Sequence, residues 1–344
     1  GVDQEGTWGV LVPYSTTGPG NLALGAAGKA KLTYKIYNIF GIEMLSVGFN
    51  AIFAPCADCN SNPHNAIIGL RSFGENPKNV ANQVEAAVNG AKSAGIITTV
   101  KHFPGHGDTL LDRHRNLPTV NKSLVQLEQG DLYPFQRGIA AGVDMVMTSH
   151  ILFPQLDPKN PATLSPFILN HLLREKLGFN GVILSDSMNM GAIKKNYLSD
   201  EAAIKAIQAG VDMIMLAEEH YDHDSSKYIE QHTTLIQSVI QAVKSGIISQ
   251  ERLDDASGRI LALKLNKGIF SVHSTIQDLK PQFGLADHKS VAIEAASSAI
   301  TILRNRSQLW PVDLNQPLVL INAVPRRAYS ILSQTRGIGP NQSE

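Results

Sequence analysis

The feature that most constrains the fold is a recurrence. Short apolar, β-branched runs return along the chain, and each ends in polar or charged residues: Gly1–Gly6 (GVDQEG), Ala51–Asp58 (AIFAPCAD), Ile96–His106 (IITTVKHFPGH), Met145–His150 (MVMTSH), Val182–Met188 (VILSDSM) and Met213–Glu219 (MIMLAEE). Amphipathic stretches rich in Ala, Gln, Lys and Glu lie between them, such as Asn82–Ala94 and Glu201–Ala209. The runs follow one another at roughly 30 to 50 residues, the size of a strand–helix unit. Continuous apolar runs suit parallel strands buried on both faces. A near-repeat agrees: AGVDMVM at Ala141–Met147 returns as AGVDMIM at Ala209–Met215. In both copies an Ala-rich helix is expected to stop at a Gly, after which the chain enters a strand at once. Ser199 is the expected N-cap of the second helix, with Asp200 and Glu201 in its first turn.

Strict strand–helix alternation leaves an open doubly wound sheet or a (β/α)8 barrel. No Gly-rich phosphate fingerprint follows the first run, which counts against a dinucleotide-binding sheet. Polar residues collect at the C-terminal end of every run, where a barrel builds its active site. The expected fold is an α/β chain with a TIM-type (β/α)8 barrel over residues 1–270. Residues 271–310 read as a linker (His273–Gln282) and a bridging helix (Lys289–Ile302) that runs into a short strand. Residues 311–344 read as the start of a truncated second α/β domain, with Gln316–Ala323 as a buried strand and Gly337–Glu344 as a disordered tail.

Composition sets outer limits. The 344 residues carry 30 basic and 30 acidic side chains, so no basic face points to a nucleic-acid partner. Hydrophobic residues at 43% and charged residues at 17% describe a globular chain. Two Cys exclude a disulfide scaffold. No run approaches the roughly 18 apolar residues of a membrane span.

The densest polar segment is KHFPGHGDTLLDRH, Lys101–His114, with His102, His106, His114, Asp108 and Asp112 among the helix breakers Pro104, Gly105 and Gly107. Following a strand, it is expected to form a loop over the barrel mouth, and so polar a loop seldom serves packing alone. One chemical reading is a metal held by His102, His106, Asp108 and His114. His102 and His106 have the spacing of two ligands on a helical face, but Pro104 and Gly105 between them forbid that helix. The other reading pairs Asp112 with His114, since side chains two apart in an extended segment point the same way. The carboxylate then orients the imidazole as a general acid/base. Asp186, at a strand end in VILSDSM, reads as a nucleophile or as a helix cap. Asp58 and Arg71 suit the binding of sugar-like hydroxyls or a structural ion pair. Cys56 and Cys59 have redox-motif spacing but end a strand, so small buried groups are expected. His220, His223 and Asp224 read as a rim loop. His150 is left outside the catalytic set.

KHFPGHGDT-x-x-D-x-H followed by SDSMNM resembles the family 3 glycoside hydrolases, in particular their bacterial β-N-acetylglucosaminidases (β-hexosaminidases). VDQEG, the Asp of FAPCAD and GLRSF at Gly69–Phe73 stand in the family's order, so the resemblance runs from Gly1 to about Ala323. It implies a retaining, exo-acting enzyme that releases terminal β-linked N-acetylglucosamine from cell-wall or chitin-derived fragments, with no cofactor and no metal. It implies that Asp186 is the nucleophile, His114 the acid/base and Asp112 its partner, and that Asp58, Arg71, Lys101 and His102 hold the sugar. Such a mechanism needs one nucleophilic carboxylate and one group that first gives and later takes a proton. An imidazole can do both near neutral pH. A neutral His also repels anions less than a carboxylate does, so a phosphorylase is a minor variant.

The sequence departs from the family in three ways. The family barrel has two strands before VDQEG, so the six runs match strands three to eight and an incomplete chain is expected, because a barrel without them would expose long edges. Thr7, Trp8 and Gly9 stand where VDQEG is usually followed by Gly-Gly and an Arg. The closing domain is cut short. The other expectations weighed are a metal-dependent hydrolase on the same barrel and an inactive sugar-binding remnant. The expected partner is an N-acetylglucosamine-containing saccharide, with no nucleic acid and no membrane span, acting on a monomer. The sequence leaves the compartment open. Family members with a second domain are often exported, which favours a bacterial cell-envelope or secreted location over a cytoplasmic one.

Overall fold

A computed structural model of the protein describes residues 1–6, 14–111, 117–217, 225–271 and 282–302. Its strands are β1 Thr99–Phe103, β2 Leu110–Leu111, β3 Pro118–Thr119, β4 Met145–Thr148, β5 Leu152–Phe153, β6 Asp157–Pro161, β7 Val182–Ser187 and β8 Met213–Met215. The helices are α1 Asn21–Ala27, α2 Ala30–Ser46, α3 Pro77–Ser93, α4 Leu124–Gln129, α5 Leu132–Ala140, α6 Gly191–Lys194, α7 Ser199–Ala209, α8 Ser225–Lys244, α9 Gln250–Asn266 and α10 Ala286–Ala299, with a π-helical segment at Phe167–Lys176.

The main sheet pairs β1, β4, β7 and β8 in that order, all parallel. Two earlier segments extend it: Val2 bridges Ile52, and Ala51 bridges Ile97, both in parallel. Ile52 N–H donates to Ile97 O at 2.9 Å, and Phe53 N–H to Val2 O at 2.9 Å. Six parallel segments therefore lie side by side in chain order, and each coincides with an apolar run of the sequence. Sequential order without reversal is the winding of a barrel, whereas a doubly wound sheet reverses at a switch point. The described residues give a TIM-like α/β fold. A second small sheet, β2-β3-β5-β6, lies among the segments that follow the C-terminal ends of β1 and β4.

Side-chain alternation divides the core in two. Ile52, Val100, Val146 and Ile183 join the larger cluster with α2, α3, α5 and α7. Ala51, Ile97, Met145, Met147, Val182 and Leu184 fill the opposite face, where Ile260 and Leu263 of α9 and then Ile269 pack on them. In α2 the buried residues Leu32, Ile36, Phe40 and Met44 recur every four positions, and α3 buries Val80, Val84, Ala87, Val88 and Ala91. The two helices cross closely at Gly90, where a Cβ would stand 2.1 Å from Tyr34 O.

The helix ends refine the sequence reading. α3 begins before Asn82 because Asn76 caps it, taking N–H bonds from Lys78 and Asn79 at 3.0 and 3.2 Å, with Pro77 at the first position. Ser199 is the first helical residue of α7 and not its cap; Leu198 holds that position, while Asp200 and Glu201 lie in the first turn as expected. Both copies of the near-repeat do leave a helix through a positive-φ glycine, Gly142 and Gly210. The bridging helix expected over Lys289–Ile302 runs instead over Ala286–Ala299. It is tied down by Glu43 of α2, whose Oε1 accepts the Gly284 N–H at 3.0 Å and lies 2.8 Å from His288 Nδ1. No described helix is long and apolar enough to cross a membrane. The expected second domain at 311–344 and most of the linker at 273–282 lie outside the described residues.

Candidate active site

At the N-terminal end of the sheet the repeated Asp has one job twice. Asp144 takes the backbone N–H of Thr98 at 2.9 Å and Lys267 Nζ at 2.9 Å. Asp212 takes the N–H of Ile183 at 2.9 Å, Arg174 at 2.5 Å and Arg252 at 2.6 Å. Each carboxylate clips its strand to the preceding one and is neutralised by cations. This end is occupied.

The C-terminal end is built differently. Glu5, closing the first run, is buried and takes Arg71 through both oxygens, Nε to Oε2 and Nη2 to Oε1, each at 2.9 Å. Lys101 Nζ lies 2.6 Å from Glu5 Oε1 and 2.6 Å from Asp3 Oδ1. Burial would raise the Glu5 pKa, but the Arg71 and Lys101 charges hold it at about 2. Burial would likewise strip the protons from Lys101 and Arg71, and the acids beside them keep both above their ordinary values. Asp3 is the member that faces solvent, its side chain 47% exposed, while Lys101 between it and Glu5 is buried.

Asp58 sits one layer beneath. It is fully buried, and protein donors occupy both its oxygens: His106 N–H at 2.7 Å, His102 N–H at 3.2 Å, His102 Nδ1 at 2.8 Å and the Cys56 thiol at 3.0 Å. Burial alone would raise its pKa, but His102 above all, with His106 and the Cys56 thiol, holds the carboxyl well below the usual range. Of the expected sugar contacts, Arg71, Lys101 and His102 thus gather at one place, while Asp58 supports His102 from below. His102 Nε2 lies 3.4 Å from Arg71 Nη2. A guanidinium only donates, so this contact favours the tautomer whose Nδ1–H points to Asp58. His106 packs edge-on to His102, ring centroids 5.5 Å apart, and burial above all lowers its pKa to about 4.

Asp186 lies near the end of β7. Alternation puts it on the face of Val182 and Leu184, the same face that Lys101 shares with Ile97. It is half-buried, and its Oδ1 accepts the Ser187 N–H at 2.7 Å. Burial would raise its pKa; His102, His150, the Ser187 N–H and Lys101 together outweigh that and lower it. Asp186 is therefore an ionised carboxylate with an open side, surrounded by the side chains that gather at this mouth.

Asp112 and His114 lie outside the described residues, as do His220, His223 and Asp224. The root of the histidine loop is described and is firmly pinned. Asn65 Nδ2 donates to His106 O at 2.7 Å and to Thr109 Oγ1 at 3.0 Å. Gly107 packs on Cys59 O so closely that a Cβ would stand 1.6 Å from it. Of the expected metal set, Asp108 turns away to Lys122 at 3.3 Å. Among the described residues the ligand-type atoms that do gather, within 4.8 Å of one another, belong to Cys56, Asp58 and His102. There the thiol and the imidazole both donate to the carboxylate between them. Sequence reasoning passed over Asp3 and Glu5, although GVDQEG ends in acids just as the later runs end in polar groups.

Residues 1–263 match the glycosyl hydrolase family 3 N-terminal domain. β-Hexosaminidase A of Pseudoalteromonas piscicida is 33% identical, over 96% of this chain and 57% of its own length. A β-N-acetylglucosaminidase/β-glucosidase of Cellulomonas fimi is 30% identical, over 92% of this chain and 56% of its own. The solved structure of a family 3 β-N-acetylglucosaminidase from Paenibacillus sp. superposes with a TM-score of 0.80 at 42% identity, over 88% of this chain and 56% of that one. The chain thus spans rather more than half the length of these relatives.

Proposed function

The chain belongs to glycosyl hydrolase family 3, and from that premise we propose that it carries the catalytic barrel of a retaining, exo-acting β-N-acetylglucosaminidase. The observation that carries the reading is the ionised, half-open Asp186 on the sheet face where Lys101, Arg71 and His102 converge. In this reading the sugar's hydroxyls bind between Asp3, Lys101, His102 and Arg71. Asp186 Oδ attacks the anomeric carbon as the glycosidic bond breaks, and His114 gives its proton to the departing oxygen. The product is a glycosyl ester of Asp186. His114 then takes a proton from water, which attacks the same carbon and frees Asp186 with the β configuration restored. Asp112 orients the imidazole. Asp58 serves through His102, which it holds from beneath.

The same reading extends to the architecture. The Val2 segment and β8 are the outer edges of the described sheet, and the exposed residues Ile229, Ile236 and Ile240 fall on one stripe of α8 beside it. Such edges and stripes ask for cover. Two further strand–helix units closing a (β/α)8 barrel would supply it, and a second α/β domain from 311 onward would complete the relatives' length. The natural saccharide in this reading is a cell-wall or chitin fragment, met by a monomer in the bacterial envelope or outside the cell.

The deciding experiment is turnover of aryl β-N-acetylglucosaminide and aryl β-glucoside, with the first-formed sugar anomer read by NMR. Release of β-N-acetylglucosamine supports the reading, and the α anomer overturns retention. His114→Ala should release a good leaving group once, stall at the ester and be restored by azide as the β-glycosyl azide. A sugar phosphate formed in phosphate buffer would make the enzyme a phosphorylase. Binding of N-acetylglucosamine without release of the aryl group would make the chain a sugar-binding remnant.

A further inference from the structure

Asp186 stands where the strand ladder no longer holds the chain. Pairing of β4 with β7 ends at Met147 opposite Leu184. On the other side, the β7–β8 register shifts between Leu184 and Ser187. The tie across the gap to β4 is made by a side chain. His150, two residues beyond β4 and 4% exposed, puts Nε2 2.9 Å from Ser187 O and Nδ1 2.8 Å from Thr163 Oγ1. A carbonyl only accepts, so Nε2 carries the proton. Burial, against the pull of Asp186, lowers the ring's pKa. The Thr163 hydroxyl beside Nδ1 also donates to Ser149 O at 3.0 Å. That hydroxyl in turn lies 2.8 Å from Thr148 Oγ1, which can donate to it. The Nε2–H bond to the Ser187 carbonyl is fixed whichever way Nδ1 and the Thr163 hydroxyl share their proton.

Ser187 is the residue these contacts fix. Its carbonyl takes His150 from the β4 side and the Met190 N–H at 3.0 Å from its own turn, and its hydroxyl bonds Ala217 O beyond β8. Its N–H is the one that Asp186 Oδ1 accepts. Without His150 the contacts to Met190, to Ala217 and to the Asn189 N–H at 3.3 Å remain, but all of them pull from the β8 side or from within the turn.

We propose that His150 is a positioning residue for Asp186: its Nε2–H holds the Ser187 carbonyl beyond the end of the β4–β7 ladder, and so holds the Ser187 N–H and the carboxylate bound to it in line with the anomeric carbon. The proposal rests on the reading of Asp186 as nucleophile. It predicts a defect in the first chemical step alone, because His150 touches neither the sugar-binding cluster nor the leaving group.

The test is the pre-steady-state burst on an aryl β-N-acetylglucosaminide with a good leaving group, where attack by Asp186 sets the first step. Gln reproduces the Nε2 donor of a histidine, Asn only the Nδ1 position, and Phe neither. His150→Asn and His150→Phe should slow the burst by about 30- to 100-fold, the scale of an ångström's misplacement. The inhibition constant for N-acetylglucosamine should stay within about twofold and His150→Gln should recover most of the rate. A His150→Asn burst at the wild-type rate overturns the proposal. So does a His150→Gln enzyme as slow as His150→Asn, or a sugar affinity that falls in step with the rate. If His150→Phe does not fold, the Asn-to-Gln ratio decides alone. Failure of the functional reading looks different: the wild-type chain itself then gives no burst.

Discussion

The two ends of the one sheet carry buried carboxylates in opposite circumstances. At the N-terminal end Asp144 and Asp212 accept a backbone N–H from the neighbouring strand and are matched by Lys267, or by Arg174 and Arg252, leaving nothing to bind a ligand. At the C-terminal end Asp58 is held by histidines and a thiol, and Asp186 by one N–H, with His102, His150 and Lys101 nearby. The same residue type is saturated where it fastens strands and left with a free side where chemistry is proposed. The difference lies in the partners: cations from α9 and its surroundings reach in and close Asp144 and Asp212. Among the described residues no cation closes on Asp186, and the Ser187 N–H takes one of its oxygens.

Mutation of one carboxylate at each end tests this contrast most strongly. Asp186→Ala should lose activity on all substrates by a factor on the order of 10⁴ or more, with the melting temperature unchanged or raised. Asp212→Ala should do the reverse. Removing it takes the counter-charge from Arg174, whose side chain is only 12% exposed, leaves Arg252 to Asp255, and orphans the Ile183 N–H. The expected loss of stability is about 3–5 kcal/mol, with kcat per folded molecule retained. Urea unfolding and active-site titration measure the two separately. A normally stable Asp212→Ala, or an Asp186→Ala that unfolds, would erase the distinction between the ends.

The near-repeat supplies an internal scale. Asp144 has the sequence surroundings of Asp212 but a single cation, Lys267, and its side chain is 13% exposed. Asp144→Ala should therefore cost less than Asp212→Ala, about 1–3 kcal/mol, the cost of unpaired buried donors. Equal losses would mean that the backbone clip, common to both copies, outweighs the ion pairs.

Much of this was legible in the sequence, and the exceptions share a cause. The apolar runs marked the parallel segments because burial on both faces leaves a continuous signal. Alternation fails where pairing becomes irregular. Asp58 read as a sugar contact because FAPCAD ends a run, yet past Ala54 the segment keeps only an isolated bridge, Cys56 to Lys101, and the carboxylate turns inward under His102. Asp3 and Glu5 were missed because their partners, Lys101 and Arg71, are distant in sequence. Ser199 has the chemistry of a cap, but α7 simply starts one residue earlier than that role would need.

The smallest effect expected is a slope. His106 has a folded pKa of about 4 against an ordinary 6.5, and that of His150 is also lowered, burial being the first cause of both. A histidine held neutral in the folded state favours folding fully above its unfolded pKa and loses that contribution as pH falls through the interval between the two values. The unfolded chain binds more protons there, so stability should rise with pH between 4 and 6.5, each such group adding at most about 1.4 kcal/mol per pH unit. Glu5, at about 2 in the fold against 4.5 ordinarily, acts in the same direction but lower, as pH falls from about 4.5 towards 2. His106→Gln should therefore flatten the stability curve between pH 6.5 and 4 while leaving the fall below 4.5 in place, and His106→Gln/His150→Gln should flatten it further. A slope unchanged by both substitutions would mean that the histidines of this end titrate alike in the folded and unfolded chain, and that only the acids distinguish it from the clipped end of the sheet.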